Sequence, residues 1–406
     1  MKKAEINMNN SKSSNRSLTL QLLFSHGVLS RTDIADYLNI TTAAVTSIVN
    51  DFLEKGLLVQ KEEPFPESHP RAGRRRAPLG VNYNWKYIVA IDIHSYYINI
   101  AITNLEGRVI TENTNLTPIT SDLDTFFSSI AKDCIKMLWE TSIPTEKILG
   151  AGITIIGPVN QNEGIALHPF RLFDQEVPVK QYFEKEFPFP VAVESNVCAF
   201  LLSEMLYTNI AASSPNILML KWGPGVGSAM AIRGQIYKGH GYQSTEIGHN
   251  QITEKNGKKC NCGRTGCLEP SISSDAIIEF IQQEASKSPD SQLSRLVTLI
   301  GAPSRKNLSK YLDEASDCPV LWNFLKSCAH SLASVTNNAI HILAPDKLIL
   351  IGDLFEHDPL ITLFTHQLYE INPQLPPDLV LKNQICAGHR YIGATAIAVE
   401  QLLLPL

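Results

Sequence analysis

Long apolar runs are missing from this sequence. No stretch reaches the about 18 consecutive apolar residues that a membrane-spanning helix needs, so none is expected. The opening residues MKKAEINMNN carry charge but lead into no apolar segment, so no secretory leader is expected and the chain is read as cytoplasmic. Charge is sparse too, at 18% Asp, Glu, Lys and Arg, below the roughly 25% of an ordinary soluble protein, which excludes a supercharged or disordered chain. Eight cysteines in 406 residues are too few for a disulfide scaffold. What is present is a 44% apolar fraction, enough for sizeable cores. At about 100–200 residues per domain, the length predicts two to four domains.

The charges are unevenly placed. Residues 1–82 hold 11 Lys and Arg against 8 Asp and Glu, whereas the remainder holds 24 against 32. A basic head on an acidic body suggests that the head meets a polyanion.

Within the head, Leu18, Leu22 and Leu23 recur at helical spacing over residues 15–26, and Gly27 stops that helix. Ser30 and Asp33 form a capping-box pattern for a second helix ending near Leu38, with Asn39 in the turn. Thr41 or Thr42 caps a third helix reaching about Lys55, with Gly56 after it. On that helix Val45, Ile48, Val49 and Phe52 share an apolar face, while Thr42, Ala43, Thr46, Ser47 and Asn50 lie mostly off it. Short hydrogen-bonding side chains let a helix approach base edges closely in a major groove. An apolar strand at Leu57–Val59, a polar Pro-containing stretch with RAGRRRAP, and renewed apolar residues at Leu79 and Val81 complete a winged helix-turn-helix pattern. Arg71, Arg74, Arg75 and Arg76 fall at its wing, where guanidinium groups neutralise phosphates or enter a narrow minor groove. Double-stranded DNA is therefore the expected partner of the head.

From residue 83 onward, strand patterns at 87–91, 97–103, 149–156, 191–193, 217–220, 228–232 and 347–351 alternate with helical patterns such as 123–139 and 324–343. Strands mixed with helices at this spacing predict α/β lobes. Turns after Asp92 and around Gly223 suggest two similar lobes, although no sequence repeat is visible.

The strongest chemical signal is Cys260-Asn261-Cys262-Gly263-Arg264-Thr265-Gly266-Cys267. Three clustered thiols with an upstream imidazole make a closed Cys3His zinc site, with no ligand position left for a reacting water, hence structural. His240 and His249 both stand upstream as the fourth donor.

These residues carry a resemblance. The stretch Glu246-Ile247-Gly248-His249, followed by Cys-x-Cys-Gly-x-x-Gly-Cys-x-Glu from Cys260 to Glu269, resembles the ROK family of repressors and sugar kinases. The amino-terminal NRSLTLQLL, the Ser30-Arg31 turn, the 46–58 segment and Gly157-Pro158-Val159 resemble its repressor branch, which includes N-acetylglucosamine and Mlc-type glucose repressors. The resemblance implies two actin-like lobes behind the winged helix: a head at 1–82, a first lobe at 83–195 with 386–406, and a second lobe at 196–385 bearing the zinc and oligomer contacts. It also selects His249 as the fourth metal donor and implies that Glu246, His249 and Glu269 meet sugar hydroxyls.

In the family's kinases an Asn-Asp pair also binds the sugar, and its Asp is the general base; aligned here, that pair is Ser195-Asn196. Asn196 is neutral and cannot take the proton that phosphoryl transfer releases. The kinase phosphate loops Asp-x-Gly and Gly-Thr-Gly read Asp92-Ile93-His94 and Gly223-Pro224-Gly225 here, and Pro224 offers neither hydroxyl nor N–H to an oxyanion. No catalytic residue is expected. The resulting expectation is a carbohydrate-gene repressor, a homodimer or homotetramer, with a sugar or sugar phosphate in a catalytically inactive cleft. Two alternatives stand beside it: sequestration by a protein partner such as a sugar-transport component, and an active sugar kinase carrying a DNA-binding head.

Overall fold

The computed structural model describes residues 8–61, 78–253, 257–383 and 390–405, with side chains from residue 14 onward. The head opens with α1 (Met8–His26), α2 (Arg31–Leu38) and α3 (Thr42–Glu54), followed by strands β1 (Leu58–Gln60) and β2 (Leu79–Val81) paired antiparallel. The local chemistry sets these boundaries. Gly27 and Gly56 end α1 and α3 with φ of +78° and +72°, a region that favours glycine. The Ser30–Asp33 capping box forms, with Ser30 Oγ accepting from the Asp33 N–H and Asp33 accepting from the Ser30 N–H. Thr41, rather than Thr42, is the cap of α3.

One expected face of α1 is corrected. Leu18 is 41% exposed, while Leu20, Leu23 and Phe24 enter the core. The helix also begins about two turns earlier than its apolar spacing showed, because Met8–Lys12 supplies no apolar period to read.

After the head come β3 (Tyr87–Ile93), β4 (Tyr97–Asn104), β5 (Val109–Leu116), α4 (Leu123–Thr141) and β6 (Ile148–Ile155). A short hairpin of β7 (Val159–Asn160) and β8 (Ile165–Ala166), α5 (Val179–Glu186), β9 (Val191–Ser195) and α6 (Asn196–Tyr207) follow. The first sheet has the order β5-β4-β3-β6-β9, antiparallel among its first three strands and parallel from β3 onward. Its central strand β3 lies between two neighbours and is buried from Ile88 to Ile93, hence its near-continuous apolar run.

The second sheet contains β10 (Ile217–Trp222), β11 (Val226–Ile232), β12 (Gln235–Ile236), β13 (Lys347–Ile351) and β14 (Val380–Lys382), in the order β12-β11-β10-β13-β14. Numbered within each sheet, both read 3-2-1-4-5 with the same parallel and antiparallel pairings. The two lobes suggested by the turns after Asp92 and around Gly223 are thus repeats of topology.

Contacts group Met1–Ser213 with Gly388–Leu406 in one compact unit and Ser214–Ala387 in another. The sequence placed the lobe boundary at 195/196, but α6 packs on the helix Ile392–Ala398, with Gly393 close against Ala199, and so belongs to the first unit. The head belongs there too. A single hydrophobic cluster runs from Leu20, Phe24, Val45 and Phe52 through Leu206 and Tyr391 to Val399. Phe24 meets Tyr83 and Tyr207 at ring-centroid distances of 6.0 Å. Tyr207 donates to the Leu105 carbonyl (2.8 Å), and Trp85 Nε1 donates to the Lys55 carbonyl (2.7 Å). Among the described residues, no helix is long and apolar enough to cross a membrane.

Candidate functional site

The second unit assembles a cluster of His249, Cys260, Cys262 and Cys267 from two loops. His249 ends the 3-10 turn Ile247–His249, and Gly248 is required there because a Cβ would lie 2.0 Å from the Val226 carbonyl oxygen. The cysteine loop is held by Cys260 N–H donating to the Arg264 carbonyl (2.8 Å), Gly263 N–H to the Cys260 carbonyl (3.0 Å) and a bridge from Gln251 to Cys267. Ligand atoms of His249, Cys260, Cys262 and Cys267 all lie within 4.8 Å of one another, so the cluster could hold a metal ion. His240 is not part of it.

The spacing fits zinc. Tetrahedral Zn–S bonds of about 2.3 Å put sulfurs about 3.8 Å apart, and Cys262 Sγ lies 3.6 Å from Cys267 Sγ, with Cys260 Sγ 3.5 Å from His249 Nδ1. Arg264 Nε donates to Cys262 Sγ at 3.5 Å. Burial pushes the Cys262 thiol up, but hydrogen bonds led by that of Arg264 outweigh it and hold the group below its ordinary value. Burial pushes Cys260 up to about 12, so a cation there must displace its proton.

The imidazole of His249 has two faces. Nδ1 points into the cysteine cluster, and Nε2 lies 3.8 Å from Glu246 Oε2. That separation is too long for a hydrogen bond. Glu269 heads the short helix Glu269–Ile272 and accepts from the Val226 N–H at 3.0 Å. Burial, then the charge of Glu269, pushes Glu246 up to about 7. Burial holds His249 below its ordinary value. Gln243, Glu246, His249, Asn250, Gln251 and Arg264 line an open, polar cavity of about 420 Å³. Glu246 and Glu269 are therefore brought close to His249, itself one of the four clustered residues. Arg264, Gln243 and Gln251 were not singled out from the sequence, because only the folded loop shows that they face this space.

Ser195 and Asn196 belong to the first unit. Ser195 ends β9 and precedes α6, and its N–H donates to Glu194 Oε1 at 2.7 Å. Asn196 opens α6 and is buried.

At the end of β3, Asp92 is engaged by its own neighbours. Thr154 Oγ1 donates to Oδ1 (2.6 Å), while His94 Nε2 lies 2.7 Å from Oδ2 and Asn99 Nδ2 donates to the same oxygen at 3.4 Å. His94 leans on the Tyr97 ring at 4.5 Å. His94 therefore engages the carboxylate itself. In the second loop, Gly223 N–H donates to the Gly225 carbonyl, closing the turn on itself.

In the head, Val45, Val49 and Phe52 of α3 are buried and Ile48 is half-buried. Thr42, Ala43, Ser47 and Asn50 are exposed, and Thr46 is half-buried with its hydroxyl donating to the Thr42 carbonyl (2.7 Å). Arg71, Arg74, Arg75 and Arg76 lie outside the described residues.

Two mixed sheets of one topology, a Cys3His cluster in the second unit and a winged helix in front define a class. The family model of the ROK family matches residues 88–401, and the chain belongs to that family. The xylose repressor of Bacillus spizizenii is 24% identical, over 97% of this chain and 96% of its own. A glucokinase of Halalkalibacterium halodurans is 25% identical, over 66% of this chain and 80% of its own. A solved ROK family transcriptional regulator, described as a homolog of the E. coli MLC protein, superimposes with a TM-score of 0.74, covering 97% of this chain and 98% of its own at 20% identity.

Proposed function

We propose that this protein is a DNA-binding transcriptional repressor of carbohydrate uptake and metabolism genes. Its body answers to a sugar or sugar phosphate that it does not phosphorylate. The observation that carries the reading is a winged helix with an exposed polar face on α3, joined to a ROK body whose Asp92 is engaged by Thr154, His94 and Asn99. Full-length similarity to a xylose repressor supports it, where the glucokinase matches a smaller share of the chain.

In this reading Thr42, Ala43, Thr46, Ser47 and Asn50 face the major groove. Arg71, Arg74, Arg75 and Arg76 add phosphate or minor-groove contacts. Two heads of a homodimer or homotetramer meet two half-sites of a near-palindromic operator. Glu246, His249 and Glu269 take sugar hydroxyls, with Ser195 and Asn196 as further ligand residues. The amide of Asn196 both donates and accepts but is no base. His249, Cys260, Cys262 and Cys267 would hold a structural zinc ion, which would fix the loop carrying His249 beside Glu246. Induction requires that the ligand bind more tightly to the arrangement that fits DNA poorly.

The test is capture of genomic duplexes by the purified full-length protein, then release by a panel of sugars and sugar phosphates, with ADP production measured alongside. One family of sequences enriched, and release by one sugar class without turnover, is the expected result. Enrichment of no sequence, or sugar-dependent ADP production at about 1–100 per second, would sink the reading. The serine in place of the first member of the sugar pair favours a second reading, in which a protein partner alone frees the operator. Release by a cell fraction and by no metabolite would establish that instead.

A further inference from the structure

The segment that delivers Glu246 and His249 to the site follows an unusual backbone path. Between residues 239 and 245 four φ angles are positive, at Gly239 (+66°), Gly241 (+63°), Tyr242 (+58°) and Thr245 (+62°). The two glycines adopt that region freely. Thr245 does not, because a β-branched side chain crowds its own backbone there. Such a conformation persists only where its surroundings impose it.

At Thr245 the imposing residue is Ser228 on β11. Ser228 Oγ donates to the Thr245 carbonyl, and Thr245 Oγ1 lies 3.0 Å from the Ser228 carbonyl oxygen. The Thr245 hydroxyl also reaches the Ser244 carbonyl, at 2.7 Å. The Thr245 carbonyl has a second donor, the Ile247 N–H at 2.8 Å. That bond closes a three-residue turn with Glu246 at its centre, at φ −75° and ψ 63°, the relaxed inverse γ-turn. The run then continues: the Glu246 carbonyl accepts from the His249 N–H (3.0 Å), and the Ile247 carbonyl from the Asn250 N–H (3.2 Å). One carbonyl, held from two sides, thus sets where the chain enters the turn that carries Glu246 and His249. The same strand registers the rest of the site. Val226, two residues before Ser228, gives its N–H to Glu269, and its carbonyl leaves room only for glycine at 248.

We infer that Ser228 and Thr245 are positioning residues for this site. Their reciprocal hydrogen bonds hold Thr245 in the left-handed conformation, and that conformation brings the His249 imidazole to the three thiols with Glu246 alongside. The inference rests on the reading of His249, Cys260, Cys262 and Cys267 as zinc donors.

The experiment is competition for zinc between the full-length protein and a chromophoric chelator. The variants are Ser228→Ala, Ser228→Thr, Thr245→Gly and the Ser228→Ala/Thr245→Gly pair, each checked for an unchanged helical circular-dichroism signal. Ser228→Ala is expected to weaken zinc about tenfold, the scale on which residues behind a metal ligand act. Ser228→Thr keeps the hydroxyl and is expected to bind zinc as the wild type does. Thr245→Gly removes the crowding, so the left-handed conformation no longer depends on the clamp. It is expected to hold zinc as tightly as the wild type, and the pair to recover most of what Ser228→Ala loses. The inference is overturned if Ser228→Ala keeps wild-type affinity, if Ser228→Thr weakens zinc as much as Ser228→Ala, or if the pair binds no better than Ser228→Ala alone. Wild-type protein that takes up no zinc would instead remove the metal reading, and this inference with it.

Discussion

A carboxylate and its few neighbours decide much of what this chain can do. Asp92 pairs in register with Asn99 across β4 and with Thr154 across β6, so both partners are placed by the sheet itself. The sequence showed Asp92 and His94 as a departure from a phosphate loop, but Thr154 is 62 residues away and became visible only once the parallel register was known. The His249, Cys260, Cys262 and Cys267 cluster was legible for the opposite reason, since three of the four sit within eight residues. Cys260→Ser is expected to turn stoichiometric metal into substoichiometric metal by emission spectroscopy, with a lower melting temperature. An unchanged metal content would remove Cys260 from the ligand set. Asp51 gives a pH prediction. Its hydrogen bond from Arg16, with help from Lys55, holds the carboxyl below its ordinary value. A lowered folded value means that the stabilisation is complete above the unfolded value of about 3.9 and fades as pH falls through the folded one. Asp51→Asn should therefore cost no more than about 1 kcal/mol at neutral pH, because the pair is partly exposed. The gap to wild type should narrow below about pH 4 in denaturant titrations; a gap that widens there contradicts the pairing.

Among elements, the head was the most legible part. Its punctuation is chemical: Ser30 and Asp33 at the start of α2, Asn39 at φ +50° after it, and Thr41 ahead of α3. Ser30→Ala removes the side-chain acceptor of the capping box and should cost about 1 kcal/mol, measured as a shift in the urea midpoint at unchanged slope. No shift would mean that the box contributes nothing in the folded chain. Elements without such signals were missed. The edge strand β5 reads VITENTNL and is mostly exposed, so it carries no apolar alternation to find. The α6 boundary was misjudged because its first residues match a family motif, whereas its packing on Ile392–Ala398 depends on a segment nearly 200 residues later.

For the molecule as a whole, the repeated 3-2-1-4-5 sheet order was only hinted at by the turns after Asp92 and around Gly223. Topology is set by hydrophobic faces and connection handedness, which many sequences satisfy, so the duplication leaves no residue-level repeat. The seating of the head was not legible either, because Phe24, Tyr83 and Tyr207 are far apart in the chain. Phe24 is 3% exposed, and Phe24→Ala should cost about 3–5 kcal/mol by losing its burial and leaving a cavity. Thermal unfolding should show the head and first lobe melting together, and a separate early transition of the head would contradict the shared core. That shared core has a consequence for modular engineering. Exchanging the first 82 residues for the head of another regulator would not be a simple swap. The graft would have to bring matching partners for the aromatic seat formed by Tyr83 and Tyr207, or be redesigned around it. The natural unit of exchange is the winged helix together with the far end of α6.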